Sequence, residues 1–201
     1  DMSQVKRERI SVRHIDLFGK ECVDVVVNCV GMGTPDKLAA SKREIFNLTE
    51  EFDGIILKYI QLNSNVKYIN FSSGAVYGTS FPESVNEHSV AVIPVNSVTD
   101  VDFYRIAKIN SEAKHRAACG NIIDLRVFNY FCRFMDLSSK YFMTELIKSV
   151  IEQKVFVTNC QNMTRDYIHP EDLTSLVVRC CVSDDINNVF DVYSRSPVTK
   201  S

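Results

Sequence analysis

The chain has 201 residues, 45% of them apolar, and its 23 Lys and Arg against 25 Asp and Glu give a formal net charge of −2. That length supports one sizeable core, and the near-neutral balance without a basic block argues against nucleic acid as a partner. The apolar runs "VDVVVNCV" and "DGIILKYI" are too short to cross a bilayer and no leader pattern opens the chain, so no membrane is expected and a soluble, cytoplasmic protein is.

In chain order, "ISVRHID" (10–16) and "VDVVVNCV" (23–30) are predicted strands, the second apolar enough to be buried on both faces. A helix is predicted over 46–62, with Leu48, Phe52, Ile55, Ile56, Tyr59 and Ile60 on one face. "VKYINFSS" follows as a strand, then an irregular stretch from 79 to about 100 carrying Pro82 and Pro94, the helix "DFYRIAKINSEAKHRAAC", and the strand "NIIDLRVF". The remainder is predicted as a helix around 141–153, short strands at "KVFVTN" and "RDYIH", a helix over 171–182 and a strand at "VFDVYS". Strands alternating with helices point to an α/β fold, a doubly wound parallel sheet covered on both faces. The seven cysteines form no C-x-x-C pair and are expected to be buried thiols, and none of the four histidines has the spacing of a metal site.

Candidate chemistry begins at "SSGAVYG". In an open parallel sheet, ligands sit beyond the carboxyl ends of strands, and Ser72 and Ser73 finish one. Taken alone, a Ser-Ser pair at a strand end most simply satisfies backbone groups of a turn. "YRIAK" adds Tyr104 and Lys108, four apart and so neighbours on one helical face. A nearby ammonium is expected to favour the phenolate and draw the tyrosine towards the range of a useful acid or base. Among the eight tyrosines no other has a lysine four residues on.

These segments together resemble the extended short-chain dehydrogenase/reductases, specifically the NAD-dependent sugar-nucleotide epimerase/dehydratase family. "DVVVNCVG" is similar to the strand and glycine turn beside the cofactor, "FNLTEEF" to a helix bearing an asparagine, "NFSSGAVYG" to the strand with the catalytic Ser or Thr, and "YRIAKINSE" to the Tyr-x-x-x-Lys helix. "LRVFN" resembles the strand leading into the substrate region, and "RDYIHPEDL" a segment that brings an arginine to the substrate's phosphates. The resemblance runs from about residue 16 to 194.

It implies a Rossmann-like sheet, incomplete at both ends. A partial dinucleotide-binding core would span 1–130, with substrate-binding elements interleaved with the last core strands over 131–201. The implied activity is NAD(P)-dependent epimerisation, dehydration or reduction of a nucleotide-diphosphate sugar, Tyr104 moving a proton as hydride passes to or from NAD or NADP. Lys108 would tune Tyr104 and hold the nicotinamide ribose, and Ser73 rather than Ser72 would be the catalytic hydroxyl, leaving Tyr77 structural. Asp16, Asn28, Gly31, Gly33 and Asn47 would lie along the cofactor, although Asn47 also suits a helix-start cap. Asn129 and Arg165 would meet the substrate, Arg165 gripping a diphosphate unless it merely pairs with Asp166. His169 is read as a structural hydrogen-bonding residue. A homodimer formed through the 46–62 and 103–119 helices is expected, with Phe52, Tyr59 and Ile109 as apolar side chains beyond what one sheet face needs.

The chain also departs from the family pattern. The first strand, first helix and glycine-rich phosphate loop are missing, no G-x-x-G-x-x-G occurs, and "YFCRF" follows "RVFN" where relatives have a glycine-proline turn. A fragment is therefore expected, and a non-catalytic relative that senses a dinucleotide or binds a partner is the alternative.

Overall fold

The computed structural model describes residues 11–32, 44–78 and 84–200. Four strands form a parallel sheet: β1 (Val25–Asn28), β2 (Lys67–Ser73), β3 (Asn121–Val127) and β5 (Asn187–Val192), in the spatial order β1-β2-β3-β5. Helix α1 (Glu44–Leu62) connects β1 to β2, α2 (Asp100–Ala117) connects β2 to β3, and α3 (Phe142–Ile151) and α4 (Pro170–Val182) lie between β3 and β5. Two short strands, β4 (Thr164–Arg165) and β6 (Val198–Thr199), pair antiparallel.

The central strands β2 and β3 are buried on both faces, successive side chains alternating between them, whereas Val27 of β1 and Phe190 of β5 are exposed, so the β1 run is not buried on both faces as expected. Tyr68 and Ile122 turn to one side and pack with Ile56, Leu57, Tyr59 and Ile60 of α1. Their neighbours Ile69 and Ile123, with Leu125, turn to the other and meet Leu173, Leu176, Val177 and Cys180 of α4. Each fully buried side chain of this size stabilises the fold by roughly 1.5–3 kcal/mol. Register fixes the strand ends: Asn28 stands beside Asn70, and Ser73 beside Val127. The carboxyl ends of β2 and β3 therefore finish together.

Local chemistry sets the helix ends. Asp102, in the first turn of α2, accepts hydrogen bonds from the backbone N–H and the hydroxyl of Thr99 at 2.9 and 3.2 Å. His169 caps α4 by accepting from the Glu171 N–H at 3.3 Å, immediately before Pro170 at the first helical position. This is the structural role expected of His169. Past the other end of α4, the Lys67 ammonium donates to the Ser183 carbonyl and hydroxyl at 2.6 and 2.9 Å.

Several expectations are corrected. Within "ISVRHID", residue 10 lies outside the described residues, and the rest forms an exposed segment ending in a 3₁₀ turn at Ile15–Leu17. Its backbone bonds close locally, Leu17 N–H to His14 and Phe18 N–H to Ile15, and enter no ladder. "KVFVTN" is no strand either: Val155 and Val157 are exposed, while Phe156 packs edge-on against Phe142 of α3. "RDYIH" contributes to β4 through Arg165 and makes a single bridge from Ile168 to Tyr130. In α1, Ile55 faces solvent and Asp53 and Leu57 turn inward. Tyr59, expected to be surplus, belongs to the core, and its hydroxyl accepts from the Val23 N–H and donates to the Glu21 carbonyl. All seven cysteines are free thiols, but only Cys180 is buried and Cys22, Cys29, Cys119 and Cys160 are exposed. Apolar neighbours in sequence did not bury them because they stand at element ends and in connections.

Candidate active site

Ser73, Tyr104 and Lys108 are brought together by one strand end and one helix. β2 ends at Ser73, whose hydroxyl oxygen accepts from the Ala75 N–H at 3.1 Å and so caps the 3₁₀ turn Gly74–Tyr77. Gly74 is required there by close approach: a Cβ would stand 2.4 Å from the Phe128 ring. Tyr104, near the start of α2, sets its phenol beside the Ser73 hydroxyl. One turn on, Lys108 is buried, donates from Nζ to the Phe71 carbonyl at 2.8 Å and lies 5.9 Å from the Tyr104 ring centre. Gly31, just past β1, has its missing Cβ position 3.8 Å from the same Nζ. The ends of β1 and β2 and the first turns of α2 thus share one crevice.

The two strand-end hydroxyls divide their work. Ser72 donates to Glu112 Oε1 at 2.5 Å, inside a buried ion pair of Glu112 with Arg126 at 2.6 Å. Arg126 also donates to the Tyr77 hydroxyl at 2.7 Å, and that hydroxyl donates to Asp191 Oδ2 at 2.8 Å. Ser72 and Tyr77 are therefore committed to an internal network that ties β2, α2, β3 and β5. Ser73 is the hydroxyl that reaches Tyr104.

Electrostatics of the pair differ from the expectation drawn from spacing. Burial pushes the Tyr104 phenol above its ordinary value, and the Ser73 hydrogen bond draws it part of the way back. The Lys108 ammonium stands off the phenol, 5.9 Å from the ring centre, and donates to the Phe71 carbonyl. Burial pushes the lysine itself down, opposed by the negative charge of Asp124, Asp53 and Glu112 and by Cys29.

Asp53 and Asp124 belong to a second buried network. His115, fully enclosed, places Nε2 2.6 Å from Asp53 of α1 and Nδ1 2.8 Å from Asp124 of β3. Asp53 Oδ1 also accepts from the Tyr68 hydroxyl, which accepts from Asn28 Nδ2, both at 2.9 Å. Asn28 Oδ1 in turn accepts from the Val30 N–H at 2.9 Å and shapes the turn before Gly31. Asp124 accepts from Asn70 Nδ2 at 2.7 Å, across the register that pairs those two residues.

The other candidates fall as follows. Asp16 is exposed in its 3₁₀ turn, 2.9 Å from His14. Asn28 is buried beneath the Gly31 turn, whereas Gly33 lies outside the described residues. Asn47 is exposed inside the first turn of α1, so it does not cap that helix. Asn129 follows β3, and its carbonyl accepts from the Ile168 N–H at 3.1 Å, joining the "RDYIHP" segment to the end of β3. Arg165 is exposed and donates to the neighbouring Thr164 carbonyl at 3.2 Å; the Asp166 carboxylate is held by the backbone and hydroxyl of Ser194 at 2.6 and 3.2 Å. No helix among the described residues is long and apolar enough to cross a membrane, and those residues hold no cluster fit for a metal ion.

Glu112, Arg126, His115, Asp53 and Asp124 were not singled out by sequence, yet for Glu112 and His115 a signal existed. Residues 104, 108, 111, 112 and 115 form a polar stripe at helical spacing, opposite in character to the apolar face an ordinary amphipathic helix turns inward.

Comparisons with known proteins agree with this fold. A profile described as the NAD dependent epimerase/dehydratase family matches residues 9–192. The chain is similar in structure to UDP-glucose 4-epimerase of Thermotoga maritima in complex with UDP-glucose, at a TM-score of 0.74 and 17% identity over 92% of this chain and 60% of that one. It is also similar to UDP-N-acetylglucosamine 4-epimerase of Methanobrevibacter ruminantium, at 0.71 and 20% over 88% and 56%, and to dTDP-glucose 4,6-dehydratase of Bacillus anthracis in complex with NAD, at 0.70 and 14% over 88% and 53%. The chain thus spans a little over half the length of these structures. No curated protein matches it.

Proposed function

Because the chain belongs to the NAD dependent epimerase/dehydratase family, we propose that it carries the proton-transfer site of an enzyme that epimerises, dehydrates or reduces a nucleotide-diphosphate sugar with NAD or NADP. The observation that carries this reading is the meeting of the Ser73 hydroxyl and the Tyr104 phenol at the carboxyl end of β2, with the Lys108 ammonium 5.9 Å from the Tyr104 ring centre.

The residues fit the nicotinamide end of such a cofactor. Gly31 presents no side chain towards Lys108 Nζ, and that ammonium has donors beyond the one given to Phe71. When bound, the nicotinamide supplies acceptance and donation of hydride. Tyr104 takes the hydroxyl proton of the sugar as its C–H and O–H bonds give way to a carbonyl, and returns a proton to that oxygen in the reverse sense. Ser73 steadies the same oxygen and opposes the rise that burial imposes on the phenol. Asn129 and Arg165 serve the substrate, the arginine through its diphosphate; the Asn129–Ile168 bond, which joins their segments beyond β3, supports that assignment.

The test is turnover of UDP-, GDP- and dTDP-sugars with added NAD or NADP, alongside mass spectrometry of any dinucleotide that co-purifies. Conversion of at least one sugar supports the enzyme reading. Tight dinucleotide binding with no conversion would favour a sensing relative instead.

A further inference from the structure

A cavity of about 1060 Å³ lies beside α2, with Tyr77, Glu112, Arg126 and Asp191 on its inner side. Its outer wall comes from residues 85–93, part of a strap over 84–98 that contains no helix or strand. The strap's own hydrogen bonds are local: Ser89 N–H to the Asn86 carbonyl, Asn86 N–H to the Ser89 hydroxyl, His88 N–H to Asn86 Oδ1, and Ser97 N–H to Pro94. Among the described residues, one hydrogen bond joins this strap to the rest of the chain: the Val92 carbonyl accepts from Arg105 at 3.0 Å.

Arg105 follows Tyr104 directly and is itself buried. Its second amino group donates to Asp102 at 2.5 Å, the carboxylate that also holds Thr99 at the start of α2. The group that reaches Val92 lies 3.6 Å from the missing Cβ of Gly78, which closes the turn opened by Ser73 and has a φ of 117°. One planar guanidinium therefore bonds the strap and the first turn of the Tyr104 helix and stands beside Gly78 at the end of the Ser73 turn. A rigid fork with two separated donors suits this task, and a single ammonium does not.

We propose that Arg105 is a positioning residue, fastening the 84–98 strap as the outer wall of the cavity and holding the Ser73 turn against the Tyr104 helix. Its effect on turnover rests on the function proposed above, whereas its hold on the strap does not. Loss of the guanidinium frees the strap, opens the cavity to water and loosens the alignment of the Ser73 and Tyr104 oxygens, so its mark on catalysis falls on kcat.

The test compares wild type with Arg105→Met, which keeps an apolar stem, Arg105→Lys, which reaches one acceptor at a time, and Asp102→Asn as a milder change. Cleavage by a glutamate-specific protease after the exposed Glu87 reports the strap. The fluorine resonance of Tyr104 in fluorotyrosine-labelled protein, assigned by its absence in Tyr104→Phe, reports the site without requiring activity. Expected are cleavage at least roughly tenfold faster in Arg105→Met, an intermediate rate in Arg105→Lys, a shifted or broadened Tyr104 resonance, and a kcat lowered roughly tenfold or more, the order of loss that misplacement of a reacting group brings. Unchanged cleavage, or an unmoved resonance, overturns the proposal, as does a kcat equal to wild type when the strap is free. If Arg105→Met does not fold, the same readouts on Arg105→Lys and Asp102→Asn decide. Wild-type protein inactive on every sugar defeats the functional reading alone, and the cleavage and resonance results still decide the clamp.

Discussion

His115 makes a prediction whose size follows from its surroundings. The imidazole is fully enclosed between two carboxylates, 2.6 Å from Asp53 and 2.8 Å from Asp124. Burial alone would favour the neutral ring, but hydrogen bonds and charge from Asp124 and Asp53 outweigh it and raise the pKa from the ordinary 6.5 to about 9. At roughly 1.4 kcal/mol for each tenfold change in proton affinity, the folded state gains about 3 kcal/mol from holding that proton. The sign is that of a raised pKa: the contribution is complete below 6.5, where folded and unfolded chains are both protonated, and is lost as pH rises towards 9. Urea unfolding across that window should show wild type losing about 3 kcal/mol, a large part of the stability of an ordinary domain. The paired change His115→Gln with Asp53→Asn, which removes the imidazolium and one facing carboxylate together, should flatten the profile. A wild-type profile as flat as that of the paired variant would refute the reasoning.

Other outcomes follow from single contacts. Gly74→Ala places a methyl group 2.4 Å from the Phe128 ring and should lower unfolding free energy by roughly 1–3 kcal/mol; an unchanged urea midpoint would contradict the packing. Ser73→Ala removes the hydrogen bond that draws the Tyr104 phenol down, so the basic limb of the pH–rate profile should move to higher pH; movement to lower pH would count against that assignment. Arg165→Ala should raise the KM for the nucleotide sugar with kcat little changed, since the arginine is assigned to the diphosphate and not to the reacting carbon; an equal fall in kcat and kcat/KM would remove it from that role.

How much of this was legible in sequence depended on range. β1, β2 and β3 were readable because each carries a short apolar run of strand length between polar ends, and α2 because its caps and period lie within a few residues of one another. Tyr104 and Lys108 announced themselves by one helical turn, and Ser73 by its place at a strand end. "ISVRHID" and "KVFVTN" have strand composition, but a strand exists only with a neighbour, which composition does not supply. The partners of His115 stand at sequence separations of 62 and 9, so nothing local marks Asp53 as an inward-facing carboxylate among Phe52, Gly54 and Ile55. The bond from the Lys108 ammonium to the Phe71 carbonyl was not legible, because the two residues lie on different elements, 37 positions apart.

The central claim is that Tyr104 moves the proton while Ser73 steadies the reacting oxygen. Its most direct test is turnover of wild type against Tyr104→Phe on a converted nucleotide sugar, with cofactor binding measured on both. The phenylalanine keeps the ring that packs beside Met32, Ile45 and Ala107 and removes only the oxygen. The account predicts a kcat lower by roughly 10²–10⁴-fold with cofactor affinity retained. A Tyr104→Phe protein that turns over at the wild-type rate would contradict it.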